Sequence, residues 1–225
     1  MNAAPAVILV AAALLLVASH RQSLANVEAG DALGSFSPDG IADMAETFFN
    51  VLTEQGANVD DATAQNNLVA FLGCIRRAEG TEQTADAYRV CFGYAHTISD
   101  LSGHPAITGE WGGERLSDDM CRNAGFGPGC ISTAAGAYQI TRPTWRRIAA
   151  KLGLQDFTPL SQDMAAIQLI RERGALADAQ AGRFADAVRK CRNEWASLHG
   201  NYAGQGQRSL SKLAAWFTAA GGQLA

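Results

Sequence analysis

Residues 68–80 read Leu-Val-Ala-Phe-Leu-Gly-Cys-Ile-Arg-Arg-Ala-Glu-Gly, which predicts an amphipathic helix with a single acid, Glu79, at its end. Leu68, Leu72, Ile75 and Glu79 are spaced 4, 3 and 4 residues apart. At about 100° per residue, these side chains fall within an arc of roughly 60°. The carboxyl group therefore shares a helix face with apolar residues.

The position of Glu79 on that face has a chemical consequence. Gln65, Arg76 and Arg77 are predicted to occupy the opposite, water-facing side of the helix. A carboxyl group at the edge of an apolar surface loses hydration, so its ionised form is disfavoured and its pKa rises. A raised pKa suits a general acid near neutral pH. The alternative is an ordinary glutamate at a helix end with no catalytic role.

Several short motifs follow one another in a fixed order along the chain. They are Ala78-Glu79-Gly80-Thr81, His104-Pro105, Ser132 to Ile140, Leu152 to Phe157, Ser161-Gln162-Asp163, Arg171 to Leu176, and Trp195 to Leu198. In this order they closely resemble the lambda-type phage endolysins, from about Leu68 to Gly222. The resemblance implies a lysozyme-like fold with peptidoglycan lytic transglycosylase activity, and it leaves the first sixty or so residues unexplained.

Composition limits the other classes of function. The chain has 225 residues, 48% of them hydrophobic, and a net charge of −4, which suits one globular domain with an appendage. The acidic balance argues against a nucleic-acid partner, because phosphate binding needs clustered basic residues. The sequence contains no CxxC pair, no HExxH and no phosphate-binding glycine loop. We expect no metal site, no cofactor and a monomer.

Three regions are predicted: an apolar segment over 1–20, a linker with an amphipathic helix over 21–57, and the catalytic domain over 58–225. Residues 3–19 are apolar on every side, which predicts membrane contact. The run is short for a permanent span, since about 20 residues cross a bilayer. An anchor, a cleaved signal and a releasable signal-anchor stay open. The expected location is at the inner membrane, or periplasmic or secreted.

The catalytic domain is predicted to be α+β. Helical patterns cover 142–152, 161–172, 183–195 and 209–220, whereas residues 86–140 lose the helical period and suit hairpins and long loops. The resemblance implies a mainly helical lobe and a small β-hairpin lobe with a cleft between them, preceded by the apolar N-terminal helix. Trp145 and Trp195 fit core spacing, and His104 before Pro105 is read as a turn residue.

Five cysteines are compatible with an oxidising compartment. Cys121 and Cys130 bracket a glycine-rich loop that closes easily into a disulfide. A second bridge between Cys74 and Cys91 is possible, and Cys191 is read as a small buried hydrophobic residue. Free thiols at all five positions are the alternative.

The resemblance also bears on the reaction type. In the family, one acid suffices for a lytic transglycosylase, because the substrate's own O6 hydroxyl attacks and leaves a 1,6-anhydro end. A family acid in a Tyr-Asp-Val segment corresponds here to Arg89 in Tyr88-Arg89-Val90, which weakens a two-carboxylate hydrolase scheme. Acids in the loop region keep that scheme open: Asp86, Asp100, Glu110 and Glu114. A hydrolytic muramidase and a non-catalytic wall-binding or virion protein are therefore the alternatives.

The substrate, peptidoglycan glycan strands, needs binding residues besides the acid. The small residues between Ser132 and Gln139 let a sugar approach the backbone closely. Ser132 and Thr133 are therefore candidate contacts, and the resemblance makes Tyr138 and Gln139 cleft residues. Tyr202, which follows Gly200 and Asn201, resembles a cleft tyrosine of the family. A core position is the alternative for Tyr138.

Overall fold

The computed structural model describes residues 61–84, 86–201 and 207–225. The helices are α1 (Asp61–Glu79), α2 (Pro105–Thr108), α3 (Asp118–Asn123), α4 (Arg142–Leu152), α5 (Pro159–Glu172), α6 (Leu176–Gln180), α7 (Phe184–Cys191) and α8 (Leu210–Ala219). The strands are β1 (Glu114–Arg115) and β2 (Ile131–Ser132). The predictions for residues 1–60, including the apolar helix and membrane contact through residues 3–19, lie outside the described residues, and so does Tyr202.

Helix α1 is the centre of the helical body. Leu68, Leu72 and Ile75 are at most 2% exposed, which confirms the predicted apolar face. The helix packs against α5, α6 and α8, so its burial extends beyond one stripe. The predicted water-facing side is wrong for Arg76, whose side chain is 16% exposed and donates a hydrogen bond inward to Tyr138.

The body is closed by apolar and polar contacts between distant parts of the chain. Helix α5 is buried continuously from Ser161 to Ile170. Phe184 on α7 packs against Phe71 and Phe217, with ring centroids 5.9 and 4.8 Å apart. Burial of such aromatic surface is the main stabilising contribution of a core like this one.

The four helices predicted after residue 140 correspond to α4, α5, α7 and α8, with bounds that differ by a few residues. Helix α4 ends at Gly153, whose φ of 71° is a left-handed cap that glycine adopts without a steric penalty. Trp145 and Trp195 are 4% and 3% exposed, so their core assignment is confirmed.

The segment between α1 and α4 forms the small β-containing part. Strands β1 and β2 pair antiparallel, with Glu114 opposite Ser132, and α3 lies between them in the chain. Hairpins were predicted in this region. The described residues contain one two-stranded sheet and isolated bridges, such as that between Val90 and Thr97. The predicted α+β class is confirmed in the coarse sense of a mostly helical body with a small two-stranded sheet.

The cysteine predictions have mixed outcomes. Cys121 and Cys130 form the predicted disulfide across the glycine-rich loop. Cys74, Cys91 and Cys191 are free and buried, so the second bridge is wrong and the core assignment of Cys191 is confirmed. Burial raises the pKa of each of these thiols to about 12, which leaves them protonated and unreactive.

His104 is the predicted turn residue. Its Nδ1 accepts a hydrogen bond from Ala106 N at 3.2 Å and caps α2, while Nε2 donates to the Ile140 carbonyl at 3.0 Å. The ring is fully buried, and this burial lowers its pKa to about 4. His104 is therefore neutral at pH 7 and fixes a turn.

In the described ranges, no helix combines the length and the apolar character that crossing a membrane requires.

Candidate active site

Glu79 is the last residue of α1, and three contacts define its position. Gly80 follows with a φ of 84°, which ends the helix. Thr81 Oγ1 donates hydrogen bonds to the carbonyls of Arg76 and Ala137, at 3.1 and 2.7 Å. The carboxyl group is therefore held at the point where the helix meets the loop that precedes α4.

The carboxyl group has one direct polar partner among the described side chains. Ser197 Oγ donates a hydrogen bond of 2.6 Å to Glu79 Oε1, although the two residues are 118 positions apart. A hydroxyl that donates to a carboxylate stabilises its ionised form and restricts its rotation.

Glu79 opens into a cavity of about 220 Å³. The wall is made by the end of α1, the segment 90–94, Gln139, and two residues from the C-terminal part of the chain. The lining residues are Ala78, Glu79, Thr81, Val90, Cys91, Phe92, Gly93, Tyr94, Gln139, Ser197 and Arg208. Several lining residues have small side chains, which leaves space beside the acid: Ala78, Thr81, Cys91, Gly93 and Ser197.

The electrostatics of Glu79 follow from its surroundings. Burial raises the pKa of the carboxyl group, and this effect outweighs the hydrogen bond from Ser197 and the positive charge of Arg208, which both lower it. The raised pKa predicted from the apolar helix face is confirmed. A carboxyl group in this state can deliver a proton near neutral pH.

The other candidate carboxylates are engaged outside the cavity. Asp86 accepts a hydrogen bond from Tyr88 N, and Asp100 accepts one from Ser102 N. Glu110 accepts from His96 and from the backbone of Ser99 and Asp100, and Glu114 is exposed on β1. Although burial opposes ionisation, these hydrogen bonds lower the pKa of Glu110 to about 2. Glu79 is the only carboxylate among the described residues that line the cavity.

Arg89, in the Tyr88-Arg89-Val90 segment, has structural contacts. Its guanidinium donates hydrogen bonds to the carbonyls of Ile98 and Ser99, at 2.8 and 2.9 Å, and pairs with Asp86 at 3.2 Å. It is not among the residues that line the cavity.

The predicted substrate contact by Tyr138 requires a correction. The side chain is 1% exposed and lies in the core. Its hydroxyl donates to Asp163 Oδ1 at 2.5 Å and accepts from Arg76 at 2.9 Å, and Tyr88 donates to the same Asp163 oxygen at 2.9 Å. Burying a phenol requires polar partners, and the interior of this protein supplies them. The core alternative therefore describes Tyr138.

Gln139 lies where the cleft prediction put it. Its φ is 49°, a left-handed conformation uncommon for a residue other than glycine. The side-chain Nε2 donates to the carbonyls of Val90 and Gly136, at 3.1 and 3.0 Å, while the residue lines the cavity. The amide therefore joins the segment at Val90 to the turn that carries Gln139.

Ser132 and Thr133 have structural contacts instead. Ser132 Oγ accepts a hydrogen bond from Ala134 N, and Thr133 Oγ1 accepts one from Arg142 N at the start of α4. Neither residue lines the cavity at Glu79. Of the four described residues predicted to bind substrate, the structure brings Gln139 to the acid.

Among the lining residues that sequence reasoning did not predict as site residues are Ser197, Arg208 and Tyr94. Ser197 belongs to the Trp195-Ala196-Ser197-Leu198 segment, but no pattern indicated that it meets an acid 118 residues earlier. Tyr94 has a φ of 59° and is 63% exposed, and its hydroxyl donates to the Gly80 carbonyl at 3.1 Å. The sequence signal that could have identified Tyr94 is an aromatic residue directly after Gly93, in a segment without helical periodicity.

Comparisons with known proteins match this chain to phage endolysins. The protein-family model described as Endolysin matches residues 69–224. The endolysin of Escherichia phage P2 is 40% identical over 156 residues, which cover 69% of this chain and 93% of that protein. The endolysin of Escherichia phage lambda is 35% identical over 162 residues, covering 70% and 92%.

Solved structures give the same result at the level of the fold. The bacteriophage lambda lysozyme complexed with a chitohexasaccharide superposes with a TM-score of 0.59 at 32% identity. A second structure of the lysozyme from bacteriophage lambda has a TM-score of 0.57 at 31% identity. Each covers 75% of this chain and 99% of the lambda protein.

Proposed function

The chain belongs to the endolysin family of cell-wall lytic enzymes, and on that premise we propose that it is a peptidoglycan lytic transglycosylase. The bond cleaved is the β-1,4 bond between N-acetylmuramic acid and N-acetylglucosamine, and the product carries a 1,6-anhydro-N-acetylmuramic acid end. The enzyme serves a phage or prophage in lysis.

One observation carries the proposal: Glu79 is the single carboxylate among the described lining residues of the cavity, and burial raises its pKa. A hydrolase of the two-carboxylate type places its second group about 5–10 Å from the first. The loop acids that remained candidates for this role are hydrogen-bonded or exposed away from the cavity.

The reaction uses Glu79 twice. In the first step the protonated carboxyl group gives its proton to the leaving glycosidic oxygen as the bond to C1 breaks. In the second step the resulting carboxylate removes the proton from the O6 hydroxyl, whose oxygen bonds to C1 and closes the anhydro ring. The proton balance is restored, and no external nucleophile is consumed.

Ser197 and Gln139, which both line the cavity, support this cycle in different ways. The Ser197 hydroxyl stabilises the carboxylate that forms between the two steps. Gln139 holds the segment at Val90 and the loop at Gly136 in fixed positions. Rigid positioning of this kind contributes to rate because reacting atoms must already be close together.

Two measurements test the proposal: the rate at which permeabilised cells are cleared, and the products released from purified sacculi. Glu79→Gln is expected to clear permeabilised cells at least about a hundredfold more slowly, the usual contribution of a general acid. Glu114→Gln, which alters an exposed acid outside the cavity, is the matched control and should clear them at the wild-type rate. Equal clearance by wild type and Glu79→Gln would favour a wall-binding or virion role.

Mass spectrometry of the digest separates the two enzymatic reactions. Anhydro ends are the expected product, and reducing ends would identify a hydrolytic muramidase.

We further propose that residues 3–19 bring the catalytic domain to the periplasmic side of the inner membrane. The support is the apolar run together with the location of the substrate. A C-terminal alkaline phosphatase fusion in a Gram-negative host is expected to be active, because this reporter matures outside the cytoplasm. An inactive fusion would mean that the enzyme needs a separate pore.

A further inference from the structure

Arg208 is a lining residue of the cavity that the proposed cycle does not use as an acid or a base. Its backbone N–H donates a hydrogen bond of 3.0 Å to the Ser197 carbonyl. Ser197 in turn donates to Glu79, so Arg208 is connected to the acid through one intervening residue. The arginine is therefore placed at the reaction centre by the backbone.

The Arg208 guanidinium is unusual because it lacks polar partners. Its Nε is shut off from solvent and has no hydrogen-bond partner among the described residues. No ion pair or side-chain hydrogen bond joins Arg208 to Glu79 or to any other residue in the described ranges. Leaving a buried donor unpaired costs free energy, so such a group calls for an explanation.

The charge balance of the cavity points to a ligand. Arg208 is the only basic residue among the described lining residues, and Glu79 is the only acidic one. Burial favours the protonated, neutral form of Glu79. When Glu79 is protonated, no other carboxylate among the described lining residues balances the charge of Arg208.

The two sugars of peptidoglycan differ in a way that this charge can distinguish. N-acetylglucosamine is neutral. N-acetylmuramic acid carries an additional lactyl ether at O3, which ends in a carboxyl group. A guanidinium binds carboxyl oxygens through a planar pair of N–H donors, which gives both affinity and orientation.

We propose that Arg208 is a specificity-determining residue that binds the lactyl carboxyl group of N-acetylmuramic acid next to Glu79. This inference rests on the proposed function, since it names the sugar that the same cavity selects. Binding there would place the muramic acid residue, rather than N-acetylglucosamine, with its C1 at the acid.

Binding of two tetrasaccharides to the full-length protein tests this inference. Both ligands have the same length: (GlcNAc–MurNAc)₂ with free lactyl carboxylates, and the neutral N-acetylglucosamine tetramer. The background variant is Glu79→Gln, which prevents turnover during calorimetry. Adding Arg208→Gln should weaken binding of the muramic acid ligand by about tenfold, the scale of one charge-assisted contact. Binding of the neutral tetramer should change less than twofold.

Two control variants separate recognition from general charge and from folding. Arg146→Gln removes a positive charge from the exposed side of α4 and should leave both affinities unchanged. Arg208→Lys keeps the charge without the planar donors and should recover part of the muramic acid affinity. Equal losses for both ligands, or no loss for either, would overturn the inference.

The inference can fail while the proposed function stands. An enzyme that releases anhydro ends from sacculi but binds the two tetrasaccharides alike after Arg208→Gln would be a transglycosylase without this recognition. An enzyme that leaves sacculi intact would instead refute the proposed function, whatever Arg208 binds.

Discussion

Two opposing effects determine the pKa of Glu79. Burial at the end of α1 disfavours the carboxylate, whereas the Ser197 hydroxyl and the charge of Arg208 favour it. An acid that must give up a proton and then take one back needs both influences. Ser197 is the residue through which this balance can be tested with the smallest change.

Ser197→Ala is expected to raise the pKa of Glu79 further, because the carboxylate loses a hydrogen bond that stabilises it. The protonated acid then persists to higher pH, so the alkaline limb of the kcat/KM profile moves upward. The maximal rate should fall less than in Glu79→Gln. Ser132→Ala, which removes a hydroxyl outside the cavity, should leave the profile in place. An unchanged or downward limb in Ser197→Ala would contradict this account.

At the scale of elements, the cap of α2 predicts a pH dependence of stability. Burial lowers the pKa of His104 to about 4, against about 6.5 for an exposed histidine. Protonation therefore favours the unfolded chain. The contribution of this histidine is complete above about pH 6.5 and is lost as pH falls toward 4, up to about 3 kcal/mol in total.

His104→Gln should flatten the fall in the free energy of unfolding between pH 6.5 and 4, as measured by urea titration. The variant should also be less stable at pH 7, since a buried cap is altered. His199→Gln changes an exposed histidine and should keep the wild-type pH dependence. A His104→Gln protein with the wild-type slope would show that other groups dominate in this range.

The disulfide-closed loop between α3 and β2 predicts a local effect. Closing a loop of nine-residue separation stabilises the fold by roughly 2–3 kcal/mol on the chain-entropy model. Reduction should therefore speed amide exchange over residues 116–131 more than in α1 or α5. The Cys121→Ser/Cys130→Ser variant should give the same exchange pattern without reductant. Equal acceleration across all peptides would mean that the bridge supports the whole domain.

At the scale of the whole molecule, a buried polar network connects α1, which ends at Glu79, to the rest of the helical body. Asp163 on α5 accepts hydrogen bonds from Tyr88 and Tyr138, and Arg76 on α1 donates to Tyr138. Gln162, the preceding residue, accepts from Ala137 N and donates to the Tyr88 carbonyl. These hydrogen bonds from Ala137 and Tyr138 to α5 hold the loop that carries Gln139 against the core.

Tyr138→Phe should lower the free energy of unfolding by about 1–3 kcal/mol, because it removes two buried hydrogen bonds to charged groups, one to Asp163 and one from Arg76. Affinity for glycan, measured well below the melting temperature, should stay at the wild-type value. Gln139→Ala is the matched variant on the cavity side and should weaken glycan handling instead. A Tyr138→Phe protein with unchanged stability but weak glycan binding would restore the role in substrate contact.

Local patterns in the sequence determined the helices and the acid. The 4-3-4 spacing before Glu79, the glycine caps at Gly80 and Gly153, and the Cys121–Cys130 spacing each act within a few residues, so they can be recognised without a fold. Gln139 was assigned to the cleft through the family resemblance, because the small-residue turn before it is also compatible with a purely structural role. The residue-by-residue resemblance supplied the family and its expected reaction.

The tertiary structure alone decided the surroundings of the acid. Ser197 contacts Glu79 and Arg208 lines the same cavity, although both follow the acid by more than a hundred residues. Sequence periodicity carries no information about such long-range proximity. Whether the Tyr138 side chain faces the core or the cavity depends on hydrogen-bond partners for its hydroxyl in the interior. Asp163 and Arg76 are those partners, and they lie on helices far from Tyr138 in the sequence. Spacing along the chain determines which face a side chain occupies, whereas its hydration and partners depend on which other segments pack against that face.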